Sequence, residues 1–451
     1  MIDDNNTDVI SIHGARPLRG VVTAAGSKNA SLPIMAASIL ADEPVILTGV
    51  PEVTDVNTLA LVLGHLGVEV KRQTSGALHI STINPQPVTA SAELVDQMRA
   101  SFCVLGPLLA RRGRAVVALP GGCQIGPRPL DLHLQGLSAL GADIRIDHGY
   151  VIASAKSLHG AEMNLSGLSG PTVTGTANIL MAAVLARGET TIHGAAREPE
   201  IVNLGEFLIS LGARIEGLGT STLHIRGVAQ LGGTGATVHR IIPDRIETST
   251  LLLAGAVTGG DVTVRGCRSD DLDAALAVLH DAGIMVDTGR DWVRAASADR
   301  PLSFHFCALP HPGVPTDLQP QFTALAAIAD GASTIGDRVF PHRFAHVDSL
   351  NCMGAQIEQS RGSVTVTGID QLRGADVTAT DLRTGAALVL AGLSSPGYTR
   401  ISNTHHLRRG YERLTEKLRF LGANVEGPGN ARYNTDELVA AGNIHDKMAS
   451  T

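Results

Sequence analysis

The sequence predicts an α/β protein of two domains, each assembled from three copies of one β/α unit. Three observations predict this. The chain has 451 residues, too many for one ordinary hydrophobic core. A helix-like segment ending in glycine, followed at once by an alternating strand-like segment, occurs six times. The key glycines stand at 67, 141, 212, 283, 354 and 422, spaced 74, 71, 71, 71 and 68 residues apart.

A near-constant period of this length marks a repeated supersecondary unit, too long for a helical-repeat solenoid. Glycine suits the junction because a left-handed residue ends a helix and turns the chain into a strand. Domain crossings are expected near Ala25 and Val238. Residues 26–238 then form one domain, and 1–25 with 239–429 the other. Residues 430–451 show no pattern and read as a loose tail.

Composition narrows the function classes. The chain is 44% hydrophobic and 18% charged, which is globular. Aromatics are 3%, too few for a stacking surface on single-stranded nucleic acid. The formal net charge of -7 argues against a nonspecific polyanion binder. Any basic site must be a local cluster. The five cysteines are scattered and show no C-x-x-C spacing, which fits a reducing cytoplasm and neither a disulfide framework nor a zinc site. The start, Met1-Ile2-Asp3-Asp4, is acidic and unlike a signal peptide. No apolar run is long enough to span a membrane.

Taken in order, Val9–Ile12 and Gly20–Thr23 read as a strand pair joined by a turn through Gly14 and Pro17. Gly26-Ser27-Lys28-Asn29 opens an apolar helix, so Lys28 and Asn29 lie at a helix N-terminus, a natural anion site. Met98-Arg99-Ala100-Ser101 opens a second helix. Arg99 opposes the helix dipole there and is a candidate ligand group.

Pro120-Gly121-Gly122-Cys123-Gln124-Ile125-Gly126-Pro127-Arg128 is a glycine and proline loop. It carries one thiol and one fixed cation, and a guanidinium near Cys123 would favour its thiolate. Pro129, Leu130, Asp131 and His133 follow. Leu165–Thr174, with Ser169 and Gly170, is a polar loop leading into the apolar helix 177–186. Pro243-Asp244-Arg245 enters another helix. Asp317 stands between Pro315 and a helix. Val339 and Arg343 share one loop, and Arg383 precedes the helix 386–393. Arg409 precedes the last helix. Loop–helix junctions of this kind are more often functional than helix middles.

Together these segments resemble the enolpyruvyl transferases, most closely those acting on UDP-N-acetylglucosamine. The resemblance runs from about Ile10 to Gly427. It rests on Gly-Ser-Lys-Asn at 26–29, Met-Arg-Ala-Ser at 98–101, Pro-Gly-Gly-Cys at 120–123 and Arg-Pro-Leu-Asp-Leu-His at 128–133. It also rests on Arg-Glu-Pro-Glu-Ile at 197–201, Pro-Asp-Arg-Ile-Glu at 243–247, Pro-Thr-Asp at 315–317, Asp-Leu-Arg at 381–383 and Arg-Gly-Tyr-Glu at 409–412.

The resemblance implies a two-domain inside-out α/β barrel. Each domain would hold three βαβαββ-type units around buried helices, with the site in the cleft between domains. It implies transfer of enolpyruvate from phosphoenolpyruvate to a uridine nucleotide, with no metal or organic cofactor. Lys28, Arg128 and Arg409 would face the phosphate, and Arg343 and Arg383 the carboxylate. Arg99 would line the same basic site. Asp317 would face the reacting hydroxyl, and Cys123 would carry a proton. Asn29, Pro129, Leu130, Asp131, His133, Ser169, Gly170 and Val339 would bind substrate.

Two stretches depart from the pattern. Leu168-Ser169-Gly170-Pro171-Thr172 stands where the family usually has Ser-Val-Gly-Ala-Thr. Pro341 stands where an acidic residue is usual. The expected acceptor is the 3-hydroxyl of UDP-N-acetylglucosamine, in peptidoglycan synthesis. The alternative motivated by these departures is another uridine nucleotide such as UMP, in nucleoside-antibiotic assembly. A non-catalytic nucleotide-binding protein is the third reading.

Overall fold

The computed structural model describes residues 8–121, 130–233 and 235–427. The chain is mixed α/β. Its described residues separate into two compact units, one running from Gly26 to Ile242, the other gathering Asp8 to Ala25 with Pro243 to Gly427.

Among the described residues, six four-stranded sheets share one pairing scheme. An edge strand runs parallel to its neighbour, and two antiparallel strands complete the sheet. In the unit from Gly26, the first sheet orders Thr237–Arg240, Val45–Thr48, Leu78–Thr82 and Val68–Arg72. The second orders Thr89–Ala90, Arg114–Ala118, Tyr150–Ser154 and Asp143–Asp147. The third orders Glu162–Asn164, Glu189–His193, Thr222–Arg226 and Arg214–Glu216.

The other unit repeats the scheme. Its first sheet orders Arg19–Thr23, Asp261–Arg265, Trp292–Ala296 and Met285–Thr288. The next orders His305–Ala308, Ala332–Asp337, Ser363–Thr367 and Gln356–Ser360. The last orders Asp376–Thr378, Tyr398–Ser402, Val9–His13 and Asn424–Glu426.

Helices fill the inside of each unit. Lys28–Ala37, Leu105–Arg112 and Val173–Ala183 carry much of one core, and Arg245–Val257, Gln319–Ala326 and Leu382–Ser394 much of the other. The strands alternate buried and exposed positions around them, as in Ser363–Thr367. Helices buried beneath outer sheets account for the apolar, weakly amphipathic helix sequences.

The repeat glycines are helix terminators. All six have positive φ, from +74° at Gly67 to +101° at Gly212. Each donates its N–H to the carbonyl three residues back. In the last five copies the following residue bonds five residues back, as in Ala213 N to Leu208 O at 3.0 Å. That double bond is the Schellman ending, which only a left-handed residue permits.

One expectation is corrected. Val9–His13 and Arg19–Thr23 are both strands, but they do not pair. The first is antiparallel to Tyr398–Ser402, and the second is parallel to Asp261–Arg265. The connector cannot turn back because the helix Leu382–Ser394 holds it. Ala15 N donates to Leu393 O at 2.8 Å, and a Cβ on Gly14 would lie 2.1 Å from Gly392 O.

Two helices start earlier than their apolar runs, because side chains cap them. Thr172 accepts from Gly175 N ahead of Val173–Ala183, and Asp381 accepts from Arg383 N and Thr384 N ahead of Leu382–Ser394. Val238 lies inside the strand Thr237–Arg240, and the chain passes between units at Ile242–Pro243.

Candidate functional site

In the unit from Gly26, Ser27 caps the helix Lys28–Ala37 by accepting from Ala30 N at 3.2 Å. Gly26 has no room for a side chain, since a Cβ would lie 1.6 Å from Gly49 O. That packing fixes the first turn and with it Lys28 and Asn29. Lys28 Nζ lies 3.2 Å from Asp55 Oδ2, with only 12% and 4% of the two side chains exposed. A buried carboxylate thus orients the ammonium without removing it from the helix N-terminus.

Arg99 begins a short 3-10 turn, Arg99–Val104, that leads into Leu105–Arg112. Asn178 is the hub beneath it. Its Oδ1 accepts from Gly106 N at 2.8 Å, and its Nδ2 donates to Phe102 O at 3.2 Å and to His133 Nδ1 at 3.1 Å. His133 Nε2 then faces Thr174 Oγ1 at 3.2 Å. The accepting Nδ1 leaves the proton on Nε2. Burial pushes the His133 ring down to about 3, and the nearby Arg99 charge adds to it. Both His133 nitrogens are therefore used internally, and the ring ties the helix Asp131–Ala139 to Val173–Ala183.

Leu130 is half-buried at the start of that helix, and Asp131 is exposed in its first turn. Ser169 is exposed in the hairpin turn that joins Ser166–Gly167 to Gly170–Pro171, and Gly170 takes φ +94° there. Leu168 beside it is fully exposed. Cys123, Arg128 and Pro129 lie outside the described residues.

The other unit holds a tight charge cluster. Asp317 Oδ1 accepts from Arg343 Nη1 at 2.7 Å, and Asp317 Oδ2 accepts from Arg383 Nη2 at 2.7 Å. The arginine side chains are 7% and 3% exposed, and Asp317 is 24% exposed above them. Burial raises the Asp317 carboxyl, but the Arg383 and Arg343 cations outweigh it and hold the group well below the usual carboxylate range. Arg383 is pulled down by burial and raised overall by Asp317 and its other neighbours.

Each arginine has a second support. Arg343 Nη1 donates to Thr316 Oγ1 at 3.1 Å, and Thr316 donates to Asp337 Oδ2 at 2.6 Å. Asp337 Oδ1 also accepts from Val339 N at 2.9 Å and Phe340 N at 2.7 Å, which shapes the loop carrying Val339. Arg383 follows the cap residue Asp381 and lies over the Tyr411 ring, 5.4 Å from its centroid. Burial raises Asp381, but the Thr384 hydroxyl, Arg343 and two backbone N–H groups bring it below its ordinary value. Arg409 is half-buried at the end of the short helix His405–Arg408, next to His406.

The structure thus brings Asp317, Arg343 and Arg383 together, and places Val339 on the loop that Asp337 holds. Sequence reasoning missed Thr316, Asp337, Asn178, Thr174 and Tyr411 as parts of this machinery. Asn178 is a solitary polar residue at the head of an apolar run, which is a usable signal for a buried structural contact, whereas Asp337 stands beside Arg338 and carries no such signal. Two guanidinium groups converging on one carboxylate are chemically a carboxylate-recognition site. Among the described residues, no helix is long and apolar enough to cross a membrane.

Residues 12–418 match the family described as EPSP synthase (3-phosphoshikimate 1-carboxyvinyltransferase). The crystal structure of the enolpyruvyl transferase NikO from Streptomyces tendae superposes with a TM-score of 0.84 at 27% identity, over 93% of this chain and 99% of that one. An EPSP synthase from Acinetobacter baumannii shares the fold, with a TM-score of 0.73 at 18% identity, over 93% of this chain and all of that one (100%). The narrower resemblance to the UDP-N-acetylglucosamine enzymes is not what these matches single out. The chain belongs to the EPSP synthase family and is an enolpyruvyl transferase.

Proposed function

We propose that this enzyme transfers the enolpyruvyl group of phosphoenolpyruvate to a hydroxyl of a uridine nucleotide, with UMP or a similarly small nucleotide as acceptor. The arginine pair on Asp317 is the observation that carries the donor side. Phosphoenolpyruvate offers a carboxylate and a phosphate on one small frame, and planar guanidinium forks match the carboxylate. Arg343 and Arg383 take the carboxylate in this reading, and Lys28, Arg128 and Arg409 the phosphate. Arg99 adds to the positive field.

Asp317 accepts the proton of the acceptor hydroxyl as its oxygen attacks C2 of phosphoenolpyruvate. C3 gains a proton, and Cys123 is the group that supplies it. The tetrahedral adduct then loses a proton from C3 as the C2–O bond to phosphate breaks. The products are the enolpyruvyl ether and inorganic phosphate. Fixed cations opposite the developing charge lower the barrier without reorganising.

Asn29, Pro129, Leu130, Asp131, Ser169, Gly170 and Val339 hold the acceptor, while His133 acts through the helix it anchors. A small acceptor is supported by Leu168-Ser169-Gly170-Pro171-Thr172, which departs from the family's usual Ser-Val-Gly-Ala-Thr. It is also supported by Pro341, which is exposed and replaces an acidic side chain with one that offers no polar atom. An acceptor with a larger polar sugar would lose a hydrogen-bond partner there. The second reading is UDP-N-acetylglucosamine, in peptidoglycan synthesis, and the Pro-Gly-Gly-Cys segment with its flanking motifs favours it.

Phosphate release from phosphoenolpyruvate, screened with UMP and UDP-N-acetylglucosamine in competition, separates the two. Preferential turnover of UMP is the expected result. Preferential turnover of UDP-N-acetylglucosamine overturns the small-acceptor reading, and no release with any uridine nucleotide overturns both.

A further inference from the structure

Asp317 occupies the place that a ligand carboxylate would take. Each of its oxygens is bound by a different arginine at 2.7 Å. Asp317 is the more exposed member, at 24%, and the arginines beneath it are 7% and 3% exposed. An anion arriving from solvent therefore meets Asp317 before it can reach either guanidinium. Two buried guanidinium groups side by side also require an anion at all times, since an unpaired buried charge is costly.

The arginines do not depend on Asp317 for their placement. Arg343 is held through Thr316 to Asp337, and Arg383 lies over the Tyr411 ring, 5.4 Å from its centroid. The Nε atoms of both arginines are buried without a hydrogen-bond partner. The fork is thus preorganised, and its bonding capacity is incompletely used by Asp317.

We infer that Asp317 is an internal occupant of the carboxylate subsite, exchanged for the carboxylate of phosphoenolpyruvate and released as a base only by that exchange. This rests on the proposed donor. One carboxylate replaces another, so the arginine pair keeps a bridging counter-anion throughout. Freed from two cations, the Asp317 carboxylate regains the basicity that the pair suppresses. The acceptor hydroxyl is then activated only when the donor is in place.

The test uses the full chain, wild type and Asp317→Asn. Phosphoenolpyruvate alone is titrated by calorimetry, and formate is titrated as a carboxylate probe by thermal unfolding. The amide is a poor competitor for the arginines, so the variant should bind phosphoenolpyruvate about tenfold more tightly than wild type. Formate should raise the unfolding temperature of the variant and leave that of wild type unchanged. Equal or weaker binding by the variant, or an equal formate response, overturns the inference.

If the variant does not fold, a crystal structure of wild type with phosphoenolpyruvate decides. The inference expects both Asp317 contacts broken and the ligand carboxylate on Arg343 and Arg383, and contacts left intact overturn it. The formate arm involves no turnover, so failure of the proposed reaction and failure of the exchange are read separately.

Discussion

Arg383 lies over Tyr411, its guanidinium carbon 5.4 Å from the ring centroid, while the Tyr411 hydroxyl is held by Thr250 at 3.0 Å and Gln321 at 3.2 Å. The ring is a buried shelf beneath the guanidinium that meets Asp317. A lysine at 383 would keep the charge, but it has no plane to stack and no fork to share. Arg383→Lys should fold normally and lose about 100-fold in kcat/KM, the scale of one lost preorganised donor. Wild-type turnover and phosphoenolpyruvate affinity in that variant would remove Arg383 from the site.

The same shelf gives a stability prediction. Tyr411 is 1% exposed, and Gln321 Oε1 already lacks a partner. Tyr411→Phe leaves the Gln321 amide with only Thr250 as an acceptor, at 3.4 Å. The cost should be about 1–2 kcal/mol, from one poorly satisfied buried group. Urea titration reads it as a lower midpoint at constant slope, and an unchanged midpoint would show that the hydroxyl carries no stability.

The repeat glycines should not be equally replaceable. Gly212 has φ +101°, and a Cβ added there would meet nothing within 4 Å. Gly212→Ala should therefore cost about 1–2 kcal/mol, from left-handed backbone strain alone. Gly67 has φ +74°, and its Cβ would lie 2.0 Å from Asn84 O. Gly67→Ala adds a backbone clash to the strain, so it should destabilise the fold clearly more. Equal urea midpoints for the two variants would contradict this.

Acid should weaken the fold through two buried histidines. Burial holds His133 and His346 neutral in the fold down to about 3, against an ordinary value of 6.5. Between those values the unfolded chain binds the extra protons. Their contribution is therefore complete above 6.5 and is lost as pH falls toward 3. At about pH 5 the loss should be about 2 kcal/mol for each ring. Neither His346 nitrogen has a hydrogen-bond partner, so His346→Leu should cost little at neutral pH and flatten the acid limb. An unchanged slope of stability against pH would rule out His346 as a contributor.

Thiol labelling tests Cys123. Burial pushes Cys103 up to about 12, with Arg99 opposing, and burial also raises Cys267 and Cys307. If Arg128 favours the Cys123 thiolate, iodoacetamide and the epoxide fosfomycin should modify Cys123 first, as mapped by mass spectrometry. Cys123→Ser should lose the label and most turnover. Cys123→Asp should lose the label and keep substantial turnover, since a carboxyl still carries a proton. An active serine variant beside a dead aspartate variant would sink the acid–base role.

The sequence by itself determined the repeat, because helix termination is local. Each key glycine needs only its own φ and the carbonyls of the preceding turn, so one residue marks each junction. It also determined where Lys28 stands, because Ser27 caps the helix three residues from the N–H it accepts. Tertiary structure decided what is long-range. Val9–His13 and Arg19–Thr23 are strands on local pattern, yet their partners lie hundreds of residues away, and only packing against Leu382–Ser394 sends them to different sheets. The motif residues Asp317, Arg343 and Arg383 were visible one by one. That one carboxylate bridges two arginines 26 and 66 residues further on, with Asp337 and Tyr411 holding the arginines in place, depends on burial that no local pattern encodes. Charge pairs of this kind form only where folding removes the competing water.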